Sequence, residues 1–210
     1  MTPDEVEAWL HTSLGVSRET IGRLAMLEAA TIAANAEQNL IARSTIETFW
    51  DRHILDSAQL LPLAADYPGA WIDLGSGAGF PGLVVALLTD RPVTLVEVRR
   101  KRAEHLEAMV ALLGLEGRVT VIKAKVEQVV SKPFAVISAR AFAPLDRLFE
   151  LARGLSDSRT IWLLPKGRTV ASELDTASRT WQGSFRTVPS ITDPEGAIVI
   201  ASDVRPRRRV

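Results

Sequence analysis

The chain has 210 residues, which suits one domain of ordinary size with a short extension and is enough to bury a large core. With 47% hydrophobic and 24% charged residues it is not a disordered chain, and without cysteine it holds no disulfide framework, thiolate metal site or cysteine nucleophile. Basic and acidic side chains number 25 each, so no overall positive charge announces nucleic acid.

The three histidines, His11, His53 and His105, lie far apart in sequence, so no metal is expected. No apolar run approaches the ~20 residues of a membrane span. The acidic start "MTPDEVEAWL" is unlike a signal peptide. A cytoplasmic monomer without membrane contact is the expectation.

Thr2-Pro3-Asp4-Glu5 predicts a helix start, with Thr2 as N-cap, Pro3 in the first turn and Glu5 completing a capping box. A second helix is predicted from Ser17 to about Asn35, with Ile21, Leu24, Ala25 and Ile32 near one face. Residues 39–45 read as loop. A third helix is predicted over 46–65, with Ile54, Leu55, Ala58 and Leu61 on one stripe, until the Pro and Gly of "DYPG" (66–69) end it. Residues 1–66 thus form a helical extension and 67–210 a core, the two packed as one domain.

From residue 70 the texture changes. "AWIDLG", "PVTLVEV", "RVTVI", "FAVISA" and "TIWLL" read as strands, the last cut by Pro165. Helices are predicted between them: "FPGLVVALL" with Pro81 in its first turn, 100–113 closed by Gly114, and "PLDRLFELARG". A helix over 169–180 and two late strands, "SFRTVP" and "AIVIA", follow. Such alternation predicts an α/β fold with a mostly parallel sheet covered on both faces. By analogy of fold, the final antiparallel pair suits the Rossmann-like, seven-stranded sheet of class I methyltransferases better than a flavodoxin-like sheet.

The sharpest local signal is Asp73-Leu74-Gly75-Ser76-Gly77-Ala78-Gly79, between a strand and a helix. Its three glycines allow a tight turn and close approach of a ligand to the backbone. Glu97 ends the next strand, where an acid can accept hydrogen bonds from both ribose hydroxyls of an adenosine. NAD and S-adenosylmethionine (SAM) both fit this outline, since 77–82 also reads as G-x-G-x-x-G. Asp73 favours SAM: a carboxylate beside the glycine loop would repel a pyrophosphate but suits a sulfonium and an amino group.

Five segments carry a resemblance: "RHILDS" (52–57), "DLGSGAGFPG" (73–82), "KVEQV" (125–129), "SARAFAPL" (138–145) and "LLPKG" (163–167). They stand in the order and at the spacing of the bacterial small-subunit ribosomal RNA methyltransferase G family, also called glucose-inhibited division protein B, which the chain resembles over about residues 35–170. The resemblance implies the class I methyltransferase fold with added N-terminal helices. It implies SAM-dependent methylation of N7 of a guanine in 16S rRNA, conventionally position 527, with 16S rRNA or the small ribosomal subunit as partner. By motif it carries cofactor contacts onto Gly75, Phe80, Val126, Glu127 and Arg140; Asp73, Gly77, Gly79 and Glu97 join them from the glycine loop. Phe80 would pack on the ligand, Val126 and Glu127 would meet the adenine edge, and Arg140 would meet the methionine carboxylate or an RNA phosphate. One departure stands out: family members commonly carry a serine shortly after the acid that ends the second strand, and here Val98-Arg99-Arg100-Lys101-Arg102 follow Glu97.

Missing motifs narrow the reaction. Carbon-5 pyrimidine methylation needs a cysteine, and there is none. The Asn/Asp-Pro-Pro-aromatic turn usual for exocyclic amines is replaced by Ser138-Ala139-Arg140-Ala141-Phe142-Ala143-Pro144, and the fourth strand does not end in the aspartate usual for ribose methylation. Guanine N7 has an in-plane lone pair and no proton to lose, so its methylation needs two positioned reactants and no catalytic base. Candidate RNA contacts are Arg52, His53, Arg99, Arg100, Lys101 and Lys166, with the basic end "RPRRRV" as a phosphate-binding arm. Each has a plainer alternative. Arg52 and Asp56 are placed to pair across a helical turn, His53 to pack at the surface, and 99–102 to form a solvated face. The five tryptophans read as core or lid, with Trp50 the candidate for base stacking. A small-molecule methyltransferase and a non-catalytic nucleotide-binding module remain the rival functions.

Overall fold

The computed structural model describes residues 1–207. The first helix, α1 (Pro3–Leu14), starts with the expected capping box, in which Thr2 and Glu5 bond to each other's backbone N–H. Its apolar residues Val6 and Leu10 are fully buried. Helix α2 (Arg18–Gln38) is capped by Ser17 and closed by Asn39 in the left-handed region. It buries Leu24, Leu27, Thr31 and Asn35, whereas Ala25 is exposed. The expected face was rotated because two polar residues complete the buried stripe; the Asn35 carboxamide oxygen accepts the Ile41 N–H at 2.9 Å.

The long helix expected over 46–65 does not form. A 3-10 turn (Arg43–Thr45) leads to a wide π turn (Trp50–Leu55), three α-helical residues, α3 (Asp56–Ala58), and another 3-10 turn (Pro62–Ala64). His53, Ile54, Leu55, Ser57, Ala58, Gln59 and Leu60 are all buried, so this segment has no solvated face to keep a regular amphipathic period. The π turn is a place where local geometry yields to packing.

Strands β1 (Trp71–Leu74), β2 (Val93–Val96), β3 (Val119–Ile122), β4 (Val136–Ser138) and β5 (Ile161–Lys166) are parallel. Strands β6 (Trp181–Pro189) and β7 (Ala197–Pro206) close the sheet, β7 running antiparallel to both β5 and β6. The order β3-β2-β1-β4-β5-β7-β6 gives seven strands with one topological switch point, between β1 and β4. Pro165 does not cut β5. Strand β4 pairs only as far as Leu163, so Pro165 has β7 alone for a neighbour and its missing N–H breaks no ladder.

Helices α4 (Gly82–Leu88) and α5 (Arg100–Leu112) cover one face, and α6 (Leu145–Ala152) and α7 (Val170–Thr180) the other. Val6, Leu10, Leu24, Leu27, Phe49 and Ile54 share a single core with Leu83, Val84 and Leu106, so the N-terminal helices extend the layer of α4 and α5. Each fully buried leucine there contributes about 1.5–3 kcal/mol. No helix among the described residues is long and apolar enough to cross a membrane.

A buried polar relay crosses the switch point. The Trp71 indole N–H donates to Ser138 Oγ at 2.8 Å, and Ser138 Oγ donates to Asp73 Oδ1 at 2.7 Å. Ser138→Ala would leave an indole N–H and a carboxylate without their partner inside the sheet, so a loss of about 1–3 kcal/mol in urea-unfolding free energy is expected. An unchanged stability would show that the relay carries no net weight.

Candidate functional site

Loops at the carboxyl ends of β1 to β4 enclose a cavity of about 250 Å³ beside the switch point. Its wall is built from Gly75, Val96 to Arg99, Arg102, Ala124 to Glu127, Ala141 and Phe142. The first turn of this wall must be glycine. Gly75 has φ +68°, and a Cβ there would sit 2.3 Å from Cδ2 of Phe142, whose ring rests on the bare backbone. A Cβ at Gly79 would meet Leu83 Cδ1 at 2.3 Å, so this glycine lets the loop run into α4.

Glu97 is 5% exposed on the cavity wall. Its Oε2 accepts the Gly77 N–H at 3.1 Å and its Oε1 the Arg99 N–H at 2.8 Å. Each oxygen keeps a lone pair, so the carboxylate is held by backbone and still able to accept two more hydrogen bonds. That is what an adenosine diol requires. Val96 and Val126 add buried apolar wall, and Glu127 stands at the rim, 3.8 Å from Arg147. The donors and surfaces present therefore fit SAM.

Asp73, Phe80 and Trp50 lie elsewhere than expected. The Asp73 side chain is fully buried and turned into the sheet, where Ser138 and the Gly82 N–H meet its two oxygens at 2.7 and 3.3 Å. Burial raises its pKa. Asp73 thus supports the loop from below and does not line the cavity. Phe80, 3% exposed, packs against Phe49 at 5.6 Å and His53 at 5.0 Å between ring centroids, away from the cavity. Trp50 is buried and donates to Glu28 at 2.8 Å, so it offers no stacking surface.

A second cavity of about 550 Å³ lies on the other side of Ala141 and Phe142, which line both. Arg52, Asp56, Arg140, Pro144, Lys166, Glu173, Ser190 and Asp193 contribute to it. Arg52 and Asp56 do not pair with each other. Arg52 reaches the β6–β7 loop, donating to the Thr192 carbonyl at 2.7 Å and lying 3.5 Å from Asp193. Asp56 instead holds Arg140 at 2.9 Å. Lys166 donates to the Ala143 carbonyl at 2.7 Å and pairs with Glu173 at 2.8 Å, which ties the β4–α6 loop to β5 and α7.

His53 is buried, not at the surface. Its burial, together with the positive charges of Arg140 and Arg52, pushes its pKa down to about 3. Arg99, Arg100 and Lys101 are exposed at the start of α5; Arg99 also lines the smaller cavity, and Arg100 pairs with Glu104 at 2.6 Å. Of the basic end, residues 208–210 lie outside the described residues, while the Arg207 side chain bonds the Ser178 and Trp181 carbonyls. The spatial partners Thr45, Asp193 and Phe142 were not singled out from sequence. Phe142 stands inside a motif that was, but nothing local marks Thr45 or Asp193. Among the described residues no group of three His, Asp or Glu side chains gathers as a metal site.

The family model for GidB, rRNA small subunit methyltransferase G, matches residues 22–196. The ribosomal RNA small subunit methyltransferase G of Rhizorhabdus wittichii is 54% identical over 209 residues, 99% of this chain and 95% of its own. That of Zymomonas mobilis is 46% identical over 217 residues, 100% of this chain and 97% of its own. Among solved structures, cofactor-bound Rv0187 from MTB has a TM-score of 0.65 at 14% identity, with 97% of this chain and 98% of that one covered. The glycopeptide N-methyltransferase MtfA complexed with S-adenosyl-L-methionine has a TM-score of 0.57 at 12% identity, covering 71% and 93%. At these identities the solved structures speak for the fold alone.

The depressed pKa of His53 makes stability depend on pH. Between about pH 6.5 and 3 the unfolded chain binds a proton there that the folded chain does not. The contribution is therefore complete above the ordinary histidine pKa and is lost as pH falls toward 3. On going from pH 8 to 5, the wild-type protein is expected to lose roughly 1–2 kcal/mol more unfolding free energy than His53→Asn, at about 1.4 kcal/mol per pH unit below 6.5. His105, also lowered by burial, acts in the same direction in both proteins. Parallel pH profiles would show that His53 titrates normally when folded.

Proposed function

Since the chain belongs to the rRNA small subunit methyltransferase G family, we propose that it methylates N7 of a guanine in 16S rRNA with SAM as methyl donor, acting as a cytoplasmic monomer whose residues 1–66 and 67–210 work as one unit. The observation that carries the site assignment is the pair of cavities whose walls share Ala141 and Phe142, the smaller one beside the switch point. The smaller one has a diol acceptor, Glu97, and a glycine backbone. The larger one is lined by Arg52, Arg140 and Lys166, which suit a nucleotide.

Bound SAM supplies a methyl group activated by a sulfonium. The protein's part is placement. Glu97 accepts the ribose hydroxyls, the turn at Gly75 to Gly79 lets the ligand reach the main chain, and Val126 and Glu127 meet the adenine edge. Holding two reactants in line is worth roughly 7–11 kcal/mol of barrier. Guanine N7 loses no proton, so no side chain is needed as a base. His53 suits that absence: it is neutral, buried and engaged at both ring nitrogens. Arg99, Arg100 and Lys101 gather positive charge at the already positive end of α5, an arrangement that RNA phosphates would relieve.

The direct test is transfer of labelled methyl from SAM to small ribosomal subunits lacking the modification, with base-level mapping of the product. Methylation of N7 at one guanine is expected, and no transfer to the subunit would overturn the reading. Glu97→Ala is expected to weaken SAM binding by about 1–3 kcal/mol in calorimetry, the cost of losing hydrogen bonds to a charged acceptor. Unchanged affinity would remove Glu97 from the cofactor site. Neutralising Arg99, Arg100 and Lys101 together is expected to lower RNA affinity and flatten its salt dependence while SAM affinity holds. If the salt slope stays the same, these side chains form a solvated face only.

A further inference from the structure

Beyond the place of Arg52 on the larger cavity, the methyl transfer described above gives no role to the segment His53 to Ser57, yet the fold lays it directly against Arg140. The His53 ring lies between Phe49 and Phe80, 5.0 Å from each ring centroid. Its Nδ1 is 3.1 Å from Arg140 Nη2 and its Nε2 is 2.8 Å from Thr45 Oγ1. A guanidinium can only donate, so Nδ1 carries no proton and accepts. The buried ring is neutral, so the proton sits on Nε2 and is donated to Thr45. The Thr45 hydroxyl spends its own hydrogen on the Ala42 carbonyl at 2.7 Å, which leaves its oxygen free to accept. Every proton in this chain has one place.

The same short segment supplies two more acceptors. Arg140 Nη1 donates to Asp56 Oδ2 at 2.9 Å and to the Arg52 carbonyl at 3.0 Å. That carbonyl is available because of the π turn. In a regular helix the Asp56 N–H would take it, whereas here this N–H is directed to the Asp51 and His53 carbonyls. Asp56 is itself fixed through Oδ1, which accepts from Thr192 Oγ1 at 2.6 Å and Gln59 Nε2 at 2.9 Å. The guanidinium also lies over the Phe80 ring, 5.5 Å from its centroid.

Three of the five N–H groups of Arg140 are thus committed. Among the described residues the Nε–H and the second Nη2–H meet no acceptor. A guanidinium edge with two N–H groups matches a carboxylate or phosphate bidentately. Arg140 lines the larger cavity, one residue from the wall it shares with the smaller one.

We propose that His53 and Asp56 are positioning residues that turn this free edge of Arg140 toward an oxyanion at the reaction site, the methionine carboxylate of SAM or a phosphate of the target nucleotide. The proposal rests on the methyltransferase reading. The N-terminal segment then orients a cation of the site, beyond its share of the core.

The test uses the full chain and two variants. His53→Leu removes the acceptor, and His53→Asn keeps an acceptor near the position of Nδ1. Calorimetry with SAM reads the carboxylate source; the KM for unmodified small subunits at saturating SAM reads the phosphate source. His53→Leu is expected to raise one of these constants tenfold or more, with kcat within about threefold, and His53→Asn to recover most of the loss. Both constants unchanged in His53→Leu, or an Asn variant as impaired as Leu, would sink the clamp. Nitrogen NMR of the wild-type histidines decides independently should His53→Leu fail to fold. The Nε2–H tautomer with bare Nδ1 is expected from pH 5 to 8, and an Nδ1–H form or an imidazolium would overturn the assignment. An inactive wild type that binds no SAM would instead overturn the methyltransferase reading, a result distinct from an active wild type indifferent to His53.

Discussion

A carboxylate inside a sheet has to be answered by donors, and the donors available to Asp73 shape everything around it. One comes from β4, as the Ser138 hydroxyl, and one from the start of α4, as the Gly82 N–H. Burial raises the pKa while these bonds lower it, so the group is satisfied only if all three elements keep their distances. Space is as tight as the bonding. A Cβ at Gly82 would stand 3.1 Å from Asp73 and 2.2 Å from Leu95. The strand end, the helix start and the glycine turn between them are therefore one rigid unit. That unit presents the Gly77 N–H to Glu97 and fixes the carboxylate on the cavity wall.

The two cavities are made in different ways. The smaller one is assembled from the four loops that follow β1 to β4, each aimed by the sheet at the same end, so its location follows from topology. The larger one draws on residues 52–56, 140–144, 165–173 and 190–197, and no two of these segments are adjacent in sequence. Its polar groups are held by cross-links among those segments: Arg52 to Thr192 and Asp193, Asp56 to Arg140 and Thr192, Lys166 to Ala143 and Glu173. Several of these pairs are partly buried, where the partner a charge lacks costs more than the partner it has contributes. Such a network favours one arrangement of the loops over many.

That contrast explains what could be read from the sequence. The strand-helix alternation, the capping box at Thr2, the glycine turn and Glu97 are local patterns, and each stands where its pattern placed it. Asp73 was legible as a key residue but not in its direction. An acid at a strand end looks the same in sequence whether it faces a ligand or the sheet, and Ser138 lies 65 residues away. The 46–65 segment failed for a related reason. Periodicity reports a helix with one wet face, and this segment is buried almost all round, so the π turn at Trp50–Leu55 left no pattern. His53 looked like a surface residue because nothing nearby in sequence shows that Phe49, Phe80 and Arg140 enclose it. Pro165 misled because its tolerance depends on where β4 stops.

Methyl transfer sets a demand that the partition between the cavities can meet. The nucleophile and the methyl carbon must come to roughly 3–3.5 Å of each other, so two ligand sites serve one reaction only where almost nothing stands between them. Here the two cavities share Ala141 and Phe142 in their walls. Ala141 has a single methyl and is held at φ +50°, and Phe142 lays its ring on Gly75, the one position in the turn where even a Cβ would collide with that ring. The residue before them is the clamped Arg140, and the residues after them are held by Lys166 and Glu173 through the Ala143 carbonyl and the Leu145 N–H. Both ends of the wall are thus anchored. The glycine turn meets this wall at Phe142 on one side, and the buried histidine meets it through Arg140 on the other, so two motifs far apart in sequence hold the same two residues.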